Sequence, residues 1–178
     1  SGAVFSHMAV MYANALYKRG FIKEGYKVLK NLLDSAMDFE NSIMYPGIPE
    51  YFDNDGRGLY AYLTGAASWY MLTMITEVFG VRGELGNLVI KPALLPEQFD
   101  KDGKAAIKLN FSGRTLKITI HADIDNIQDN NGVYNKIIRM ECDGNELESA
   151  DLKKVVIMKK RIEEMSCGRC HEIDVFIK

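Results

Sequence analysis

The chain has 178 residues, 47% hydrophobic and 26% charged, with 22 basic and 24 acidic side chains giving a net charge of −2. That length and balance describe a globular protein of one domain or two small ones and exclude a disordered or fibrous chain. Near-neutral charge without a basic stripe argues against a nucleic-acid partner, and no apolar run approaches the roughly 20 residues needed to span a membrane.

The N-terminus lacks the basic, apolar and small-residue order of a secretion signal, so a cytoplasmic location is expected. Cys142, Cys167 and Cys170 cannot all pair within the chain and read as reduced thiols. Met8, Met11, Tyr12, Ala15 and Leu16 have the spacing of a buried helical stripe, ended by Gly20. A second stripe, Ile22, Tyr26, Leu29, Leu32, Leu33 and Ala36, follows after a very short connection, which predicts an antiparallel hairpin. Residues 43–58 hold two prolines, three glycines and several aromatics without clean periodicity, and are expected to form a site loop. A third helix is predicted from Thr64 as N-cap through Ala67, Met71, Met74, Ile75 and Val78 to Gly80.

After Leu85 the pattern changes. Only Phe99, Phe111, Tyr134 and Phe176 among the aromatic residues lie beyond it, and short β-type runs replace the helical stripes. These are Leu88–Ile90, Ala106–Phe111, Thr115–Ile120, Lys136–Met140, Val155–Met158 and Ile173–Ile177, with turn signals at Ser112-Gly113 and Asp143-Gly144. The expected organisation is α+β: a helical part over 1–85 and a small antiparallel sandwich over 86–178.

Several short motifs occur in a fixed order: Gly2-Ala3-Val4-Phe5-Ser6-His7, Gly56-Arg57-Gly58, Leu63-Thr64-Gly65-Ala66-Ala67-Ser68-Trp69, and Phe79-Gly80-Val81-Arg82 leading to Leu88-Val89-Ile90-Lys91-Pro92. Over roughly the first hundred residues this succession resembles the C-terminal portion of cellobiose phosphorylase-like enzymes, family 94 of the glycoside hydrolases, and most of all those acting on β-1,2-linked glucans. The resemblance implies the last helices of an (α/α)6 barrel followed by a β-sandwich. It also implies inverting phosphorolysis of a β-linked glucoside to α-glucose 1-phosphate, with inorganic phosphate as substrate and no cofactor or metal. The enzymes it resembles are often dimers, so a homodimer and the rest of the barrel are the expected protein partners. Because phosphate is already a competent anion, such an enzyme needs one carboxylic acid and no second carboxylate as base. In the family that acid, and an arginine that helps hold phosphate, lie upstream of the matched region. Asp34, Asp38, Asp53 and Asp55 do not occupy its position, and the chain by itself is expected to be inactive.

The resemblance assigns His7, Thr64 and Gly65 to phosphate, and chemistry supports the assignment. A helix start offers unpaired N–H groups and a positive dipole end, Thr64 adds a hydroxyl, Gly65 permits close approach, and His7 can donate a ring N–H. Trp69, Tyr45, Tyr51, Tyr60 and Tyr62 crowd the same stretch, where rings can stack on sugar faces; core packing explains any one of them equally well. Tyr51 is the substrate-binding candidate among them. Arg57 could reach a sugar hydroxyl or an anion, or hold its loop through backbone carbonyls.

Two further patterns are decoys. Cys167-Gly168-Arg169-Cys170-His171 has the spelling of a haem-attachment site, and with Cys142 of a zinc site, but Gly168 suits a turn between strands and the spacing lacks paired ligands. Asp123, Asp125, Asp129, Asn130 and Asn131 before Gly132 fail the ligand spacing of a calcium loop. Two other functional readings stand beside the phosphorylase: a hydrolase on the same helical architecture, which needs a second carboxylate, and a non-catalytic sugar-binding or oligomer-forming module.

Overall fold

The computed structural model describes residues 2–45, 47–60, 65–123, 136–147 and 153–178. Thr64, Tyr62 and most of the calcium-like stretch, from Asp125 to Gly132, lie outside them. The architecture is α+β, in two compact units, Ser1–Met74 and Ile75–Lys178.

In the first unit a short strand β1 (Val4–Phe5) runs directly into helix α1 (Ser6–Lys18). Gly20, with φ of 84°, ends that helix, and α2 (Ile22–Met37) turns back against it. The absence of a side chain at Gly25 lets the two helices close up, since a Cβ there would stand 2.6 Å from the Tyr17 ring. On α2 the predicted stripe holds at Ile22, Leu29, Leu32 and Ala36, which are buried, while Tyr26 is half-buried and Leu33, at its edge, is 41% exposed. On α1 it does not: Ser6, Val10, Ala13, Asn14 and Tyr17 face the core, whereas Met8 and Tyr12 are 65% and 59% exposed. This helix is apolar on more than one side, so spacing alone could not choose the face that packs.

A one-turn helix, α3 (Phe39–Ser42), precedes the stretch expected to be a loop, and the second half of that stretch is a hairpin. Strands β2 (Tyr51–Phe52) and β3 (Gly58–Leu59) pair with each other and with β1 in the order β1-β2-β3. Their turn is closed by Asp53, whose Oδ1 accepts from the N–H groups of Asp55 and Arg57, at 3.0 Å each.

Helix α4 (Gly65–Thr73) is anchored to the other two. Its Tyr70 hydroxyl donates to the Leu29 carbonyl of α2 at 3.3 Å, and its buried Thr73 hydroxyl accepts from Asn14 Nδ2 of α1 at 3.1 Å. The predicted face does not hold along this helix, since Ala66 and Thr73 are buried while Met71 is 60% exposed; the helix is apolar nearly all round, so spacing alone does not choose the side that packs. Over Met74–Val78 it widens into a π turn, and Val78, the last residue of the predicted stripe, is buried.

In the second unit, β4 (Val81–Glu84) and β5 (Asn87–Ile90) form a hairpin that β10 (Val155–Ile157) extends. The pairing of β4 with β5 is why the unit begins before Leu85, where composition changes. Gly80 has φ of 68°, and a Cβ there would collide with the backbone carbonyl of Lys91. A five-stranded sheet follows: β6 (Lys104–Phe111), β7 (Arg114–Ala122), β8 (Ile137–Cys142), β9 (Asn145–Glu146) and β11 (Cys170–Ile177), in the order β6-β7-β11-β8-β9. The expectation of a purely antiparallel sheet is corrected here, because β11 runs parallel to β7 and antiparallel to β8. The chain reaches it through β10 and a short helix, α5 (Lys159–Glu164), an excursion long enough for a parallel return.

Alternation settles the two faces. Leu116, Ile118 and Ile120 of β7 meet Ile173, Val175 and Ile177 of β11 and Met140 of β8 on the buried face. Each such fully buried aliphatic side chain contributes about 1.5–3 kcal/mol. The opposite face is polar, and there His121 stacks on Phe176 at 4.5 Å, Arg139 covers the same ring at 4.0 Å, and His121 Nε2 meets Asp174 Oδ1 at 2.6 Å.

Candidate functional site

The start of α4 and the start of α1 lie against each other. A Cβ on Gly65 would stand 2.5 Å from His7 Cε1 and 2.6 Å from Nδ1, so the imidazole occupies the space that a side chain would fill. Only glycine admits this approach. His7 Nε2 is buried without a hydrogen-bond partner among the described residues. The Trp69 ring, one turn along α4, lies 6.1 Å from the imidazole. A buried ring nitrogen that finds no protein partner loses its hydration without return, and a bound acceptor at that point would restore the bond.

Two of the three residues assigned to phosphate are thus adjacent, His7 and Gly65; Thr64 is outside the described residues. Tyr51 and Arg57 sit on the β2–β3 hairpin. Tyr51 is half-buried and touches Phe5 and Tyr60. Arg57 is exposed, and its backbone closes the turn, its N–H reaching Asp53 Oδ1 and its carbonyl accepting from the Asp53 N–H at 3.0 Å. Phe5 belongs to the same aromatic group as Tyr51 and Tyr60, and the sequence did not mark it, because a strand of two residues carries no readable period.

In the second unit, a cavity of about 460 Å³ is lined by Cys142, Asp143, Arg161, Arg169 and His171, among others. Its chemistry is structural. His171, 1% exposed, directs Nε2 at the Ser166 carbonyl (2.9 Å) and Nδ1 at Asp143 Oδ2 (2.7 Å). Both ring nitrogens are thus engaged within the protein, and Arg169 Nη2 also lies 3.4 Å from Nδ1. Asp143 also accepts from Arg169 at 2.5 Å and from the Glu172 N–H at 3.0 Å. Burial alone would raise the Asp143 carboxyl; the hydrogen bonds from His171 and Glu172 and the charges of His171 and Arg169 outweigh it and hold the carboxyl below its usual range. Burial, with the charge of Asp143, pushes the Cys142 thiol up, which makes it unreactive.

The turn with the haem-like spelling joins α5 to β11 rather than two strands, with Gly168 at φ of 87°. Cys142, Cys167 and Cys170 are free thiols, the latter two exposed. Among the described residues no group of three His, Cys, Asp or Glu side chains is placed to hold a metal ion, and no helix is long and apolar enough to cross a membrane. The chain matches no protein-family model and no curated protein.

Proposed function

We propose that this chain is the C-terminal portion of an inverting glycoside phosphorylase, contributing the last helices of an (α/α)6 barrel and a β-sandwich. In this reading the intact enzyme, located in the cytoplasm, cleaves a β-linked glucoside with inorganic phosphate and releases α-glucose 1-phosphate and a shortened acceptor. His7, Thr64 and Gly65 hold phosphate, Tyr51 and Arg57 contact sugar, and the general acid comes from outside this chain.

One observation carries the reading: the imidazole of His7 lies directly on Gly65, the first residue of α4, with Nε2 buried and without a partner among the described residues. An anion there would take the ring N–H as donor and would face the positive end of the α4 dipole. Phosphate bound in this way attacks the anomeric carbon while the acid protonates the departing oxygen. The role of this chain is to hold the nucleophile in line, a positional contribution and not an acid–base one.

The test uses the intact parent protein and a β-linked glucoside. Sugar 1-phosphate should form only when phosphate is supplied, and His7→Ala should weaken phosphate saturation by roughly tenfold or more, the scale of one charge-assisted hydrogen bond. Release of free glucose at the same rate without phosphate would overturn the proposal in favour of a hydrolase.

A further inference from the structure

We propose that Asn14 and Thr73 are positioning residues for the anion site: their buried hydrogen bond fixes the register in which α1 and α4 bring their N-termini level. The two helices run parallel. His7 meets Gly65 at their starts, and further along Asn14 Nδ2 donates to Thr73 Oγ1 at 3.1 Å. Asn14 lies seven residues after His7, and Thr73 lies eight after Gly65, so the helices advance together in one direction over about two turns, roughly 11 Å. Neither first turn carries an acidic residue, and Phe5, at the N-cap of α1, gives that helix no side-chain bond. Two positive dipole ends therefore lie side by side with nothing of opposite sign in their own first turns.

Parallel dipoles set level repel each other, and a slide of one helix along the other would relieve them. Apolar packing does little to prevent that slide. The apolar side chains buried on the same faces, Val10 one turn before Asn14 and Ala66 two turns before Thr73, are small and would pack much alike after a shift. The polar pair would not. Asn14 is 4% and Thr73 0% exposed, so a shift of one turn, about 5.4 Å, would leave a buried amide and a buried hydroxyl without the bond they now make. A single buried polar group in an apolar contact can fix the register of packed helices in this way. Here register decides whether the imidazole lands on Gly65 at the start of α4 or beside a later turn, away from the positive end. With the pair made, the His7 ring and both helix starts converge on one position, and an anion held there offsets the repulsion between the two dipoles.

The inference rests on the phosphorylase reading above, and the experiment separates the two. Formation of sugar 1-phosphate by the intact parent protein is measured against inorganic phosphate and against a β-linked glucoside, with thermal unfolding followed in parallel. The variants are His7→Ala, Thr73→Val, Thr73→Ser, and Asn14→Leu combined with Thr73→Val. Thr73→Val keeps the side-chain shape and removes the acceptor, whereas the double variant makes both positions apolar and is expected to melt close to wild type. Both are expected to raise the phosphate KM by roughly tenfold while kcat and the glucoside KM stay within about twofold, and Thr73→Ser, which retains the hydroxyl, should match wild type. If His7→Ala raises the phosphate KM and the two Thr73→Val proteins do not, the positioning role is overturned and the phosphorylase reading survives. A joint loss of Tm, kcat and both KM values in those two proteins also overturns it, because a pair that only supports the fold would act in that way. If the wild type cleaves the glucoside equally fast without phosphate, both fall.

Discussion

A methyl group at position 65 and one at position 80 would meet different obstacles. At Gly65 the obstacle is the His7 ring, which can swing aside, so Gly65→Ala should lower stability by only about 1 kcal/mol while displacing the imidazole. At Gly80 it is the Lys91 backbone, with φ of 68° against the substitution as well, and Gly80→Ala should cost more than about 2 kcal/mol. Urea midpoints of the two variants check the order, and a larger loss at Gly65 would contradict it. Asp143 offers a test by pH. Its carboxyl is held below its ordinary value of 3.8, so the stabilisation is complete above that value and is lost as pH falls through the lower folded-state value. Asp143→Asn should therefore be less stable than wild type at neutral pH, with the difference closing well below pH 3.8. A difference unchanged at that acidity would mean that the charge of Asp143 is not what matters. Gly65 was legible as a motif residue, but the ring that fills its missing side chain was not, because His7 lies far away in sequence.

Helices α1 and α2 show when periodicity suffices. Beside its apolar stripe α2 carries lysines and acids, so only one face can be buried, and the sequence names it. In α1 both Met8-Met11-Tyr12 and Val10-Ala13-Tyr17 satisfy helical spacing, and the packing of α2 and α4 makes the choice. The π turn at the end of α4 depends on a partner outside the helix. Arg82 of β4 donates to the Thr76 carbonyl at 2.7 Å and to Glu77 Oε2 at 2.5 Å, and Glu77 is 5% exposed. Arg82→Met would strand a buried carboxylate at a cost of about 3–5 kcal/mol, whereas Arg82→Met with Glu77→Met should recover most of it. Thermal unfolding of the singles and the double decides; equal losses in both would refute the pairing. Where α4 meets α2, burial, then the charges of Tyr26 and Asp34, push the Tyr70 phenol up to about 12. The folded state keeps that proton longer than the unfolded chain, so this contribution to stability is complete below pH 10.0 and is lost between there and about 12. Absorbance of phenolate on alkaline titration should show one tyrosine ionising late, and Tyr70→Phe should remove it.

The second unit depends on its last strand. Since β11 lies between β7 and β8, neither of those strands completes its ladder until residues at the very end of the chain arrive. Removing 170–178 should therefore abolish cooperative unfolding of this unit, while leaving the helical circular-dichroism signal of the first. Retention of a sharp second transition would show that β6, β7 and β8 suffice. The sequence by itself determined helices α1, α2 and α4, the longer strands of the second unit, the α+β class, the turns at Ser112-Gly113 and Asp143-Gly144, and the proximity of His7 and Gly65 to helix starts; these follow from local preference and short-range pattern, whereas the two-residue strands β1, β2 and β3 and the short helix α5 carry too few residues to show one. Tertiary structure alone decided which face of α1 is buried, that β11 is parallel to β7, and that the imidazole of His7 fills the hollow at Gly65. Each of those depends on residues distant along the chain, whose contacts leave no periodic trace in either segment taken alone.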